Sequence, residues 1–167
     1  MDKKITDLAE KYNLVVIEDA AHALESKFGK QKIGSMSDFT CLSFYVTKNI
    51  CTGEGGWVTA NNPEFAEKIE IYRLHGLSRH AWKRYSDSGF QHYHVLYPGY
   101  KYNMMDIQAA ISIHQPKHID DLLIQRNQIW NCDNQAFSDL SVVIRLRLMN
   151  EKCSRSPFIY MLLTDEE

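Results

Sequence analysis

The stretch Ser43-Phe44-Tyr45-Val46-Thr47-Lys48-Asn49 decides how this chain is read, together with Glu18-Asp19-Ala20-Ala21-His22 upstream and Gly53-Glu54-Gly55-Gly56 downstream. Each acid or lysine follows a hydrophobic run: Asn13-Leu14-Val15-Val16-Ile17 leads to Asp19, and Asp38 through Tyr45 leads to Lys48. Strand ends are where open α/β sheets place their chemistry. A lysine, an acid and a glycine-rich turn at such ends are the parts needed to hold an aldehyde cofactor.

An amine that attacks a carbonyl must first lose its proton, which partial desolvation or a neighbouring cation favours. Lys48 is flanked by Tyr45, Val46 and Ile50, which supply apolar surroundings. Pyridoxal phosphate also needs a carboxylate against its ring nitrogen, because the protonated ring is the electron sink for a carbanion at the substrate carbon. Asp19 fits that role. Taken singly, an Asp at a strand end is a turn or cap residue and a Lys after a strand is a solvated charge. The chemical reading rests on the pieces occurring together.

Together, Glu18-Asp19-Ala20-Ala21-His22-Ala23 and Ser43-Phe44-Tyr45-x-Thr47-Lys48-Asn49 with Gly53-Glu54-Gly55-Gly56 closely resemble the acid and lysine motifs of the DegT/DnrJ/EryC1/StrS sugar aminotransferases. The resemblance continues through Arg73 to Arg79, Trp82 to Tyr85, Pro98 to Met104 and Asp106 to Ala110, about the first 130 residues in all. It implies an α/β chain of the fold-type-I pyridoxal-phosphate transferase, aspartate-aminotransferase-like class. It implies that Lys48 is the Schiff-base lysine and Asp19 the partner of the pyridinium. His22 then lies beside the cofactor ring, Ser43 bonds the cofactor phosphate, and Asn103 reaches a neighbouring subunit's phosphate across a dimer interface. The substrates implied are a nucleotide-linked keto-sugar and an amino acid donor such as glutamate, in polysaccharide or amino-sugar synthesis. A lysine at position 48 argues against the family's sugar dehydratases, which carry His there.

A complete member of that family is more than twice as long and begins with a phosphate-binding Gly-Thr/Ser turn. The expectation is therefore an incomplete large domain over residues 1–115. A helix and the degraded start of a C-terminal small domain follow over 116–167, with Ser156 to Met161 as its opening. The rival reading is a catalytically inactive remnant that serves only as a folded or dimerising module. Pro116 stands where the family has Leu inside a long helix, and a proline there costs about 3 kcal/mol if uncompensated. Ser112 replaces a usual Gly. Beyond Val142, Ile144 to Leu148 and Cys153 to Pro157 match only loosely.

Length and composition agree with an intracellular globular piece. In 167 residues, 44% are hydrophobic and 24% charged, with a net charge of −2, so no basic field invites nucleic acid or an anionic membrane. Cys41, Cys51, Cys132 and Cys153 lack CxxC spacing and are read as free thiols of a cytoplasmic protein. Met1-Asp2-Lys3-Lys4 leads into an amphipathic pattern rather than an export signal. His92-x-His94 has no third ligand at metal spacing, so no metal site is expected.

Along the chain, Ile5, Leu8, Ala9 and Tyr12 predict a helix and Leu14 to Ile17 a buried parallel strand. A strand over Phe39 to Tyr45 is expected to pair with Gly56 to Ala60 through the glycine turn. Asn62 caps a helix that opens at Pro63 and carries Phe65, Ile69 and Tyr72 inward. Leu77 to Tyr97 reads as a long loop. A second helix starts near Met104, with Ile107, Ala110, Ile111 and His114 in register. The exposed faces of an incomplete domain predict a homo-oligomer.

Overall fold

The computed structural model describes residues 3–78, 93–140 and 153–162. The His92-x-His94 pair, the Arg79 to Tyr85 stretch, most of the Leu77 to Tyr97 loop and Ile144 to Leu148 fall wholly or partly outside them. Helix α1, Lys3–Tyr12, ends in a Schellman arrangement. Asn13 takes a left-handed φ of 50°, the Leu14 N–H donates to Ala9 O at 2.9 Å and the Asn13 N–H to Glu10 O at 3.3 Å.

That cap alters the strand expected over Leu14 to Ile17. The Leu14 amide is used by the helix, and the Val16 amide donates to Asp38 Oδ2 at 2.8 Å, so strand β1 forms only over Ile17–Asp19. It pairs in parallel with β4, Phe39–Ser43, in the register Ile17↔Phe39, Glu18↔Thr40 and Asp19↔Cys41. Nor is the run buried: Leu14, Val15 and Ile17 are 60%, 56% and 68% exposed, and among the described residues β1 pairs with β4 alone.

The connection from β1 to β4 contains a short hairpin, β2 Lys27–Phe28 and β3 Gln31–Lys32, which the sequence reading missed. Two-residue strands show no alternation to detect. Strand β5, Gly56–Ala60, runs antiparallel to β4 as expected, giving a three-stranded sheet in the order β1-β4-β5. The expected cap of helix α2, Pro63–Tyr72, is present: Asn62 accepts from the Glu64 N–H at 2.8 Å. Phe65 stacks on Phe39 at 4.9 Å, and Phe65, Ile69 and Tyr72 face a cavity of about 720 Å³ that Val15, Trp57 and Met104 also line.

After α2 the chain turns at Gly76, whose φ is +70°. A Cβ there would stand 1.7 Å from Tyr97 O, so the returning strand of chain passes glycine against glycine, Gly76 over Gly99. Helix α3, Asp106–His114, gives way to a single 3-10 turn, Gln115–His118, and helix α4 follows over Ile119–Ala136. The break falls where Pro116 predicts it. The inward face of α3 differs from the apolar stripe: Ile107 is 75% exposed, while Ser112 is 4% exposed and folds its hydroxyl onto Ala109 O at 2.7 Å. A last strand, β6 Cys153–Ser154, adds antiparallel to β2.

The core lies under the end of β4 and the loop beyond it. Phe44, Ile50, Thr40 and Ala20 are almost wholly buried, and Phe44 meets Trp57 edge to face at 4.7 Å. Among the described residues no helix is long and apolar enough to cross a membrane.

Candidate active site

Parallel pairing brings the C-terminal ends of β1 and β4 side by side, and these ends carry the two predicted groups. Asp19 closes β1 opposite Cys41, and the Ala20 N–H donates to Cys41 O at 2.9 Å, which locks the end of the ladder. The exposed Asp19 carboxylate accepts from the Ala21 N–H at 3.0 Å, a two-residue turn that starts the path to His22. Beneath it, Glu18 Oε2 accepts from Ser37 Oγ at 3.0 Å and from Thr40 Oγ1 at 3.4 Å, tying β1 to β4 from the opposite face.

Lys48 follows β4 in a loop with its own frame. Its N–H donates to Tyr45 O at 2.9 Å, the Phe44 N–H to Gly55 O at 2.8 Å and the Thr52 N–H to Phe44 O at 2.9 Å. The loop is clipped from outside by Gln115: its Oε1 accepts from the Cys51 N–H at 2.9 Å and its Nε2 donates to Cys51 O at 2.6 Å. Gly55, at φ +127°, lies against Met104, where a Cβ would come within 2.6 Å of Met104 Cε. The glycine turn therefore serves close packing as well as chain reversal.

Lys48 Nζ hydrogen-bonds His22 Nε2. Phe158 completes this group, with its ring centroid 4.0 Å from that of His22 and 5.0 Å from Lys48 Nζ. Two of the predicted residues, Lys48 and His22, are thus in contact, and Asp19 stands on the strand that leads to His22. Ser43 ends β4, where its Oγ accepts from the Tyr45 N–H at 3.4 Å. Asn103 accepts from Lys101 Nζ and sits beside the Met104 that packs on Gly55; among the described residues this bond does not join it to Lys48.

Phe158 was not legible as part of this group. It lies in the C-terminal segment, and no local pattern connects it with residues 22 and 48. The buried Glu25 and the Gln115 clip were missed for the same reason. All four cysteines are free thiols. Among the described residues no group of three or more His, Cys, Asp or Glu side chains is placed to hold a metal ion.

The donor set suits pyridoxal phosphate: an amine for the aldehyde, a carboxylate for the ring nitrogen, and an imidazole touching the amine. Comparison with known proteins agrees. The chain is 41% identical over 163 residues to the spore coat polysaccharide biosynthesis protein SpsC of Bacillus subtilis, covering 98% of this chain and 42% of SpsC. It is 52% identical over 141 residues to protein MJ1066 of Methanocaldococcus jannaschii, covering 84% and 36%. The chain thus spans about two fifths of the length of these relatives.

Among solved structures, Spr1654 of Streptococcus pneumoniae, described as a sugar aminotransferase, superposes in its PLP form with a TM-score of 0.78 at 31% identity. That match covers 95% of this chain and 39% of the other. PseC of Helicobacter pylori, an aminotransferase involved in the biosynthesis of pseudoaminic acid, gives 0.84 at 26% identity, covering 98% and 42%. These neighbours are fold-type-I, pyridoxal-phosphate-dependent enzymes. The family model for the DegT/DnrJ/EryC1/StrS aminotransferases matches residues 1–167, and the chain belongs to that family.

Proposed function

We propose that this chain carries the lysine and acid of a pyridoxal-phosphate-dependent sugar aminotransferase. Its substrates would be a nucleotide-linked keto-sugar and an amino acid donor such as glutamate, in cytoplasmic polysaccharide or amino-sugar synthesis. The observation that carries the reading is the contact of Lys48 Nζ with His22 Nε2 beside the parallel ends of β1 and β4. When bound, pyridoxal phosphate supplies an electron sink for the carbanion at the substrate carbon. Lys48 Nζ would hold the cofactor at its aldehyde group and serve as the base for a proton at the substrate carbon. Asp19 would hold the positive charge on the ring nitrogen. His22 orients the lysine amine, and the Phe158 ring excludes water from one side of it. Ser43 Oγ offers a hydroxyl to the phosphate, and Asn103 serves the phosphate of a second copy in a homodimer.

The test is borohydride trapping of pyridoxal phosphate on the purified chain, with the modified residue mapped by mass spectrometry. The expected result is a single modified lysine, Lys48, and loss of that modification in Lys48→Ala. Labelling that is undiminished in Lys48→Ala would sink the assignment. Amino transfer from glutamate to a nucleotide-linked keto-sugar then tests the substrate class.

A further inference from the structure

Glu25 has no part in the chemistry above, yet its carboxylate is almost wholly buried next to it, with the side chain 3% exposed. Its Oε2 accepts from Asn49 Nδ2 at 2.7 Å and from Ser156 Oγ, and its Oε1 pairs with Arg126 Nη2. Asn49 Nδ2 also donates to Ser156 Oγ, and the Ser156 N–H donates to Ser26 Oγ at 3.0 Å. One carboxylate thereby joins the segment after β1, the residue next to Lys48, helix α4 and the C-terminal segment.

A buried ion pair is a weak source of stability, because desolvation offsets most of the attraction and well-packed apolar groups do as well. What such a network does supply is fixed geometry where its hydrogen bonds are made, and here they converge on Glu25 Oε2. Here the fixed groups are informative. Asn49 is the neighbour of Lys48 in the chain, and Ser156 stands two residues before Phe158, whose ring rests on His22 and near Lys48 Nζ. Asn49 and Ser156 are 107 residues apart in sequence, and their contact ties the lysine loop directly to the segment that carries its aromatic wall.

We infer that Glu25 is a positioning residue: by holding Asn49 and Ser156 together it sets both the backbone that carries Lys48 and the Phe158 ring beside it. Its consequence for catalysis rests on the function proposed above; its mechanical action does not. Glu25 works through Asn49 and Ser156. Arg126 balances its charge, and burial pushes that guanidinium below its ordinary range.

Hydrogen exchange on the whole chain, read by mass spectrometry, tests the clamp without any cofactor. Ser156→Ala removes one hydroxyl at a site expected to keep its fold, and Ser156→Thr restores it. In Ser156→Ala, exchange over residues 44–52 is expected to quicken about tenfold, the scale of one hydrogen bond to a charged group. Glu25→Gln should quicken 44–52 and 153–160 together, Ser156→Thr should behave as wild type, and α2 should not respond. Borohydride capture of pyridoxal phosphate at Lys48 should slow in parallel with these changes. Unchanged exchange at 44–52 in both Ser156→Ala and Glu25→Gln overturns the clamp, and so does an equal quickening that includes α2. If exchange responds as expected while wild type fails to take the cofactor at Lys48, the clamp stands and the proposed function falls.

Discussion

At the scale of single residues, two carboxylates of similar chemistry are put to opposite uses by burial. Asp19 is exposed and accepts one backbone hydrogen bond, so Asp19→Asn can keep that bond and leave stability nearly unchanged. Its charge is what the ring nitrogen needs. A hydrogen bond to a charged group contributes about 1.5–3 kcal/mol, so Asp19→Asn is expected to weaken pyridoxal phosphate about tenfold or more. Titration followed by visible absorbance measures this, and equal affinity in the variant would remove Asp19 from the site. Glu25 is the converse. Glu25→Ala leaves the Arg126 guanidinium without its counter-ion, and removing one partner of a buried pair costs about 3–5 kcal/mol. Arg126 is 23% exposed, so water offsets part of that and the lower end is expected in urea unfolding.

At the scale of elements, the loop that carries Lys48 is held by groups outside itself. Gln115 satisfies both backbone groups of Cys51 from the point where the 3-10 turn at Pro116 interrupts the helical run between α3 and α4. Proline cannot donate the hydrogen bond that a continuous helix requires, so the break is written in the residue itself. Gln115→Ala should cost about 1–3 kcal/mol, the range for leaving part-buried backbone groups unpaired. Asn62→Ala removes the cap of α2 and should cost about 1 kcal/mol. Chemical denaturation of the two variants checks the order: if Asn62→Ala proves the more damaging, the Gln115 clip is not what holds the loop.

At the scale of the whole molecule, exposed large apolar side chains outnumber buried ones among the described residues. Ile17, Val95, Ile107 and Ile113 are each at least 65% exposed, and α1 turns Ile5, Leu8 and Tyr12 outward with only Ala9 covered. Surfaces of this kind drive association. The chain is expected to sediment as a dimer or larger species, and a compact monomer at every accessible concentration would contradict that.

The sequence alone determined the acid on the first strand, the lysine after the next long one, the antiparallel return through the glycines, the Asn62 cap and the break at Pro116. Each depends on residues a few positions apart, where capping, turn and periodicity rules operate. Tertiary structure decided the rest. The Leu14 to Ile17 run reads as a strand, but the Leu14 and Val16 amides are taken by the cap of α1 and by Asp38, and which acceptor wins depends on where β4 lies. The periodic stripe of α3 reads as a buried face, yet Ser112 and Gln115 are the residues turned inward, where Ala109 O takes the Ser112 hydroxyl and Cys51 O the Gln115 amide. Phe158 and Ser156 join Lys48 and Asn49 through contacts that bridge most of the chain, and local pattern carries no information about a partner that distant.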